Sequence, residues 1–318
     1  MYFGVSLYLL RFNLNKRESL CHSGWLTLCL IYIIYKALFL LSIPSTSLYI
    51  DLTLDGIILF YLFKNLKSKI HINILLRKEP TTWISKILLL LFLIPLAYGF
   101  ILAVLISPVI FDVNAYHESR IILMQQQETY FLHSFNDICE TVYGFGYDLV
   151  LHNHLRFGED RSLAIYGYVC FLCIAGLLYD FFGRQNQCYQ LYWLPAVLFL
   201  GLIEPIYQSL SAKNDLPGVL ACLGSFHLYY KWKKSPSPFL LFLSVLAITC
   251  AVACKKVYLA YALPMIIIWS WEWYKNKDDF SLKPKHVYTF ASVLLFTSPM
   301  LTYGYNILLW GNWSGPEL

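Results

Sequence analysis

Long runs of apolar residues recur along most of the chain, and they restrict the folds that it can adopt. A helix that crosses the hydrocarbon core of a bilayer needs about 17–25 such residues. Hydrophobic residues make up 58% of the chain and charged residues 14%, against about 45–50% and about 25% in soluble domains. This pattern predicts an all-α integral membrane protein with about nine transmembrane helices. The predicted spans cover residues 24–43, 46–63, 86–110, 162–182, 191–211, 215–232, 236–254, 257–273 and 287–310.

The distribution of Lys and Arg predicts which way each connection faces, because cytoplasmic loops carry an excess of both. With the N-terminus inside, 17 of the 24 Lys and Arg residues fall in segments that face inward. These are Arg11, Lys16 and Arg17, the six from Lys64 to Lys86, Arg184, the three from Lys231 to Lys234, and the four from Lys275 to Lys285. The net charge of +5 is therefore attributed to inward loops and not to a nucleic-acid surface.

The segment 111–161 is the longest connection that is predicted to face outward. It begins with FDVNAYHESR directly after the third span, and it is rich in acidic residues and histidines. Its YDLVLHNHL stretch at 147–155 is expected to form a short interfacial helix. Since the other outward connections are only a few residues long, chemistry on this side is expected to involve this segment.

Two short outward turns contain lysines where the charge rule disfavours them. AKNDL places Lys213 beside Asp215 between spans five and six, and ACKKVY places Lys255 and Lys256 between spans seven and eight. One interpretation is that these side chains extend to the interface and have no further role. The other is that they bind an anion, for which a lipid phosphate at headgroup depth is the natural candidate.

These residues together resemble a known pattern. A core span ends in Asp, Tyr-His follows four and five positions later and Arg three after that; later outward turns carry Asn-Asp and then Lys before an aromatic residue. In this chain the pattern consists of Asp112, Tyr116, His117, Arg120, Asn214, Asp215, Lys256 and Tyr258. It resembles the bacterial membrane glycosyltransferases of the GT-C superfamily, the group similar to dolichyl-phosphate-mannose protein mannosyltransferases, over about residues 86–310.

The resemblance implies a seven-span core in residues 86–318, with outer loop 111–161. Residues 1–85 would then hold an N-terminal cytoplasmic segment, two accessory spans and a basic inner loop. The implied protein lies in the cell inner (cytoplasmic) membrane with its active site facing outward. Its partners are a polyprenyl-phosphate sugar donor, a glycan, lipid or protein acceptor, and membrane lipid.

The implied reaction moves the sugar from the lipid phosphate to the acceptor. Asp112 is the candidate base that takes the acceptor proton. Lys256, then Lys255 and Lys213, and fourthly Arg120, are candidates for stabilising the negative charge of the phosphate. His117 has three open roles: it binds a divalent cation beside Asp112, orients the donor, or hydrogen-bonds the loop.

One further acidic residue and two other classes of protein remain open. Glu204, just before Pro205 in the fifth span, is a substrate-binding candidate as an intramembrane acid, although packing around a proline kink also accounts for its surroundings. A transporter would also have many spans, but internal repeats and broken helices near the bilayer midplane are typical of that class. A non-catalytic membrane assembly subunit is the third class, and it predicts that Asp112 is dispensable.

Overall fold

The computed structural model describes residues 14, 16–66, 83–108, 112–185, 194–275 and 284–316, and all regular secondary structure in these ranges is helical. The all-α prediction is confirmed. The α-helices are α1 (Lys16–Leu40), α2 (Ser47–Leu66), α3 (Trp83–Leu105), α4 (Glu118–Gln127), α5 (Cys139–Val142), α6 (Asp148–Leu155), α7 (Ile165–Gln185), α8 (Leu194–Gly201), α9 (Ile203–Ser209), α10 (Asp215–Lys234), α11 (Pro238–Cys254), α12 (Leu259–Lys275), α13 (Pro284–Thr297) and α14 (Met300–Trp310).

Nine membrane spans are not confirmed. Within the described ranges, two stretches are long and apolar enough to cross a membrane, Arg17–Leu40 and Ile165–Phe182. A buried helix of a soluble protein can meet the same test of length and composition. Some apolar helices are shorter: α11 has 17 residues, or about 26 Å at 1.5 Å per residue, below the roughly 30 Å hydrocarbon thickness.

Prolines divide two of the predicted spans. The span 191–211 contains α8 and α9, with the extended residue Leu202 between them. Pro205 lacks an N–H group and its ring clashes with the carbonyl four residues back, which disfavours a helix continuous through this point. The span 287–310 contains α13 and α14, and α13 ends just before Ser298-Pro299 because the residue before a proline disfavours the helical region.

Helix α1 lies at the centre of the packing. Its N-terminal half, from Cys21 to Cys29, belongs to a hydrophobic cluster with α7, α10 and α11. Its C-terminal half, from Tyr32 to Phe39, belongs to a second hydrophobic cluster with α4 and α6. The helix that the sequence assigns to an N-terminal accessory segment therefore packs directly on helices of the predicted core.

The segment 112–161 folds as a cap over one end of the bundle. The predicted short helix at 147–155 is present as α6. It is not amphipathic and surface-lying, however, because Leu149, Val150 and Leu151 are all fully buried against α1 and α4. The cap is thus a second packed layer with its own apolar interior.

A buried ion pair joins two helices of the cap. Asp148 lies at the start of α6. Its Oδ2 lies 2.9 Å from Nη2 of Arg120 in α4, and its Oδ1 lies 2.8 Å from Nδ1 of His117. Arg120 also donates to the backbone carbonyls of Tyr116 and Tyr143. Neither Arg120 nor Asp148 is exposed to solvent, so each charge depends on the other for stabilisation.

A second buried cation, Lys36, joins α1 to the C-terminal end of α13. The Lys36 ammonium donates to the carbonyl oxygens of Phe296 at 2.6 Å and Ser298 at 2.9 Å, and to the hydroxyl of Tyr32 at 3.1 Å. The last carbonyls of a helix have no partner within the helix. Lys36 therefore satisfies the end of α13 at the point where the chain turns into α14.

We predict that Arg120→Met destabilises the protein strongly. The substitution leaves the Asp148 carboxylate buried without its charged partner, which typically costs about 3–5 kcal/mol. Thermal unfolding in detergent measures the loss. Lys255→Met is the matched control, because Lys255 and Asp215 form a partly exposed pair, and it is expected to shift the midpoint far less. Equal shifts for the two variants would contradict a structural role for the buried pair.

Candidate functional site

The cap meets the ends of α10 and α11 at a group of polar residues. Asp112 precedes a π-helical turn, Val113–His117, in which the N–H of Glu118 bonds to the carbonyl of Val113. Such turns are frequent at functional sites. Asp112 contacts Lys213 of the turn before α10, and His117 lines one space with Lys255 and Lys256 of the turn after α11.

A cavity of about 180 Å³ lies at this junction. One probe-sized volume of about 10–15 Å³ holds a water molecule, so the cavity has room for a ligand several times larger. Predicted and unpredicted residues share its wall, among them Tyr116, His117, Tyr143, Asn214, Lys255 and Lys256. Five residues that the sequence predicts from three separate segments thus line one space.

Lys213, Lys255 and Lys256 differ in their partners. Lys213 Nζ lies 2.7 Å from Asp112 Oδ2, and Lys255 Nζ lies 2.6 Å from Asp215 Oδ1. Lys256 has no carboxylate within ion-pair distance among the described residues; its ammonium lies 6.0 Å from the centre of the Tyr143 ring. Lys256 is therefore the cation of this site whose charge is not already matched by a carboxylate of the described chain.

His117 is held in one orientation by Asp148. A carboxylate only accepts hydrogen bonds, so His117 Nδ1 carries the proton in the 2.8 Å contact with Asp148 Oδ1. In the neutral ring Nε2 is then the lone-pair nitrogen. A histidine so held can accept a hydrogen bond or bind a cation through Nε2, and the ring lines the cavity.

Two tyrosine hydroxyls contribute donors to the same wall. Burial raises the pKa of Tyr116, and the nearby Asp112 and Asp148 carboxylates raise it further. Burial also raises the pKa of Tyr143. Both phenols therefore stay protonated at neutral pH, and they can donate hydrogen bonds to an anionic or hydroxylated ligand.

Two glycines allow the cap to touch the end of α11. The N–H of Gly146 donates to the carbonyl of Ala253 at 3.0 Å. A Cβ atom at Gly146 would lie 2.6 Å from the Ala253 carbonyl carbon, and one at Gly144 would meet the Ala253 oxygen. Asn214 adds a side-chain bond of 2.7 Å to the Cys254 carbonyl. These contacts fix the residues that lead into Lys255-Lys256.

Six predicted site residues do not line the cavity: Asp112, Arg120, Glu204, Lys213, Asp215 and Tyr258. Asp112 is paired with Lys213, and Asp215 with Lys255. Arg120 is fully buried behind the cavity in the pair with Asp148. Tyr258 is buried and donates to the Asp215 carbonyl at 2.8 Å, so it positions the start of α10. Glu204 is exposed on α9, and its Oε1 accepts a 2.7 Å bond from Gln208. Phe111, which precedes Asp112, lies outside the described residues.

A second cavity, of about 280 Å³, lies at the other end of α4 and is lined by Gln125, His152 and Arg156 among others. Arg156 Nη1 lies 2.6 Å from Asp51 Oδ2, so its charge is matched within the chain. Burial, with Arg156 nearby, lowers the pKa of His152 to about 4, so this ring is neutral at physiological pH. The Arg156 cation at this cavity therefore already has a carboxylate partner, unlike Lys256 at the first cavity.

The predicted cation position beside Asp112 and His117 does not gather three ligands in the described ranges. A buried group that could hold a metal ion is formed instead by Glu18, Asp180 and His227, at the opposite end of α10. The structure therefore contains a group of side chains that could hold a metal ion, but at a different place from the one that the sequence predicted.

Comparison of the chain with protein-family models, curated proteins and solved structures gives no match. The resemblance to GT-C glycosyltransferases therefore rests on the sequence pattern alone.

We predict that Gly146→Ala separates the cap from α11. The added methyl group has no space against Ala253, so the loop must move away and uncover Cys254, which is buried and lines the cavity. The rate of thiol labelling at the Cys254 peptide, read by mass spectrometry, is expected to rise. Gly304→Ala is the control, since nothing lies within 4 Å of a Cβ at Gly304. Unchanged labelling in both variants would contradict the close approach.

Proposed function

We propose that the chain is a membrane-embedded glycosyltransferase that moves a sugar from a polyprenyl-phosphate donor to an acceptor on the outer face of the inner membrane. The observation that carries the proposal is Lys256, an ammonium without a carboxylate partner in the described chain, at the wall of a cavity whose other lysine, Lys255, is paired with Asp215. An anionic ligand supplies the missing partner. The rest of the cavity wall contains tyrosine hydroxyls, the Asn214 amide and the His117 imidazole, which suit a sugar phosphate.

Exposed apolar side chains support the membrane location. On α12, for example, Leu263, Ile267 and Trp271 are each more than half exposed, and α2 and α14 present similar faces. Soluble monomers rarely expose contiguous apolar patches of this kind. A lipid environment accounts for these faces, and the excess of Lys and Arg in the predicted inward loops gives the proposed orientation.

In the proposed reaction Asp112 is the base. An acceptor hydroxyl oxygen attacks the anomeric carbon of the sugar, and the bond from that carbon to the phosphate oxygen breaks. The proton of the hydroxyl passes to the Asp112 carboxylate, and the electron pair leaves with the polyprenyl phosphate. Lys256 stabilises the negative charge that develops on the phosphate.

The Asp112–Lys213 ion pair predicts that the donor binds before the acceptor gives up its proton. Asp112 keeps 42% of its side-chain surface exposed, while Lys213 is mostly covered. A phosphate that reached the Lys213 ammonium would compete with Asp112 for it, because both groups are oxyanions. Donor binding would then draw Lys213 away and leave the carboxylate available to accept a proton from the acceptor.

We predict that Asp112→Asn abolishes transfer and leaves the fold intact. The amide keeps the size of the side chain but cannot take the proton, a role typically worth about 10²–10⁴-fold in rate. Transfer from a short-chain polyprenyl-phosphate hexose to an extracted acceptor fraction measures it. Glu159→Gln removes an exposed carboxylate of the same segment and serves as the control. Wild-type turnover in the Asp112→Asn variant would make Asp112 structural and favour an assembly subunit.

We predict that Lys256→Gln weakens binding of the lipid phosphate. Losing a charge-assisted hydrogen bond costs on the order of 1.5–3 kcal/mol, and Lys256→Arg should restore part of it because it returns the charge. Lys255→Gln is the matched neighbour, and a smaller effect is expected because the Lys255 ammonium already bonds Asp215. Titration of the polyprenyl phosphate against the purified variants decides. Equal affinities for wild type and Lys256→Gln would return Lys256 to an interfacial role.

A further inference from the structure

A second polar group is buried about 20 Å from the cavity, judged by the 13 residues of α10 that separate Asn214 from His227. His227 Nε2 lies 3.4 Å from Asp180 Oδ2 of α7 and 3.6 Å from Glu18 Oε1 of α1. The three ligand atoms lie within 4.8 Å of one another, and all three side chains are buried. Three different helices thus converge on one point.

We propose that Glu18, Asp180 and His227 form a binding site for one first-row divalent metal ion of the Zn²⁺ type. The donor set of one imidazole and two carboxylates is suited to such ions. The site is separate from the proposed transferase cavity and does not depend on that function.

The spacing of the donors agrees with coordination. Ligand atoms about 2.0–2.2 Å from a tetrahedral ion lie roughly 3.3–3.6 Å apart. The contacts of 3.4 and 3.6 Å from His227 to the two carboxylates fall in this range, whereas N–H···O hydrogen bonds centre near 2.9–3.0 Å. The distance from His227 Nε2 to each carboxylate is therefore compatible with shared coordination of one ion.

A second histidine lies behind the first. His22 Nε2 lies 2.9 Å from His227 Nδ1, and Trp25 Nε1 lies 3.1 Å from His22 Nδ1. A metal-ligating histidine usually donates its other ring N–H to an outer partner. Indole N–H only donates, so in this order Trp25 donates to His22, His22 donates to His227 Nδ1, and the His227 proton sits on Nε2.

Coordination through Nε2 needs the opposite order. His227 must carry its proton on Nδ1 and donate to His22 Nε2, and His22 must carry its own proton on Nδ1. The two rings keep two protons between them, and the Trp25 N–H must turn away. The Trp25 N–H therefore competes with metal binding, and its removal is expected to raise the affinity for the ion.

Lys231 is the second competitor. Its ammonium lies 2.6 Å from Glu18 Oε1, so it competes with an ion for the same carboxylate oxygen. If Glu18 serves to hold Lys231 and is not a metal ligand, removing that charge gives the group no affinity for a metal. If Glu18 is a metal ligand, removing the charge strengthens the site.

The experiment titrates untagged, chelator-treated full-length protein in detergent with Zn²⁺, and with Co²⁺ followed by visible absorption. Wild type is expected to bind one ion per chain. Asp180→Asn and His227→Gln are expected to lose more affinity than the roughly 10–100-fold typical of an outer-shell change. Two variants keep the ligands and remove a competitor, Lys231→Met and Trp25→Phe, and both are expected to bind more tightly than wild type.

His133→Gln is the control for binding at other histidines, because His133 is exposed in the cap, and it is expected to match wild type. Size-exclusion profiles confirm that each variant is folded before titration. Should a folded ligand variant be difficult to obtain, the two tighter-binding variants still test the proposal. Stoichiometric binding that is unaffected by Asp180→Asn, or no gain in affinity from Lys231→Met and Trp25→Phe, would overturn it.

Discussion

The Asp148 carboxylate determines the arrangement of the cap formed by residues 112–161. It is fully buried, and it holds the Arg120 guanidinium on one oxygen and the His117 ring on the other. A buried carboxylate without such partners is strongly unfavourable. The geometry of α6 against α4, the orientation of His117 in the cavity, and the closure of the cap over the bundle therefore all depend on this group. Arg120 further reaches the Tyr143 carbonyl, next to the glycines that touch α11.

The two proposed sites use opposite ends of the same helices. Helix α10 begins at the cavity, where Asn214 bonds the end of α11, and its later turns carry His227 and Lys231. Helix α1 likewise contributes Glu18 at one end and packs under the cap at the other. Rigid helices with polar groups at both ends and apolar middles connect the two regions mechanically. Helix α10 thus runs from the cavity, at Asn214, to His227 of the buried group of Glu18, Asp180 and His227.

The sequence predicted local and charge-based features well and side-chain networks poorly. The Asp112 to His117 spacing is local, and the two lysine turns break a strong charge rule, so Tyr116, His117, Asn214, Lys255 and Lys256 could be selected before their common cavity was known. Asp148 was not selected, because a carboxylate among many acidic residues gives no spacing signal for a partner 28 residues away in Arg120. Nor were Glu18, His22, Asp180 and His227, although ionisable residues within or beside apolar runs are themselves a signal of function. The breaks at Pro205 and Pro299 were missed as helix ends because counting apolar residues ignores the lost N–H of proline.

The bond from Lys36 to the end of α13 has a consequence for the order in which the chain folds. It joins positions 260 and 262 residues apart, so the first helix and the last helical pair must meet before either end is satisfied. Contacts between such distant positions slow folding, because the intervening loop must close first. During synthesis α1 emerges about 260 residues before the carbonyls that its Lys36 ammonium bonds. The contact between α1 and the end of α13 can therefore form only late, after the helices between them have been made.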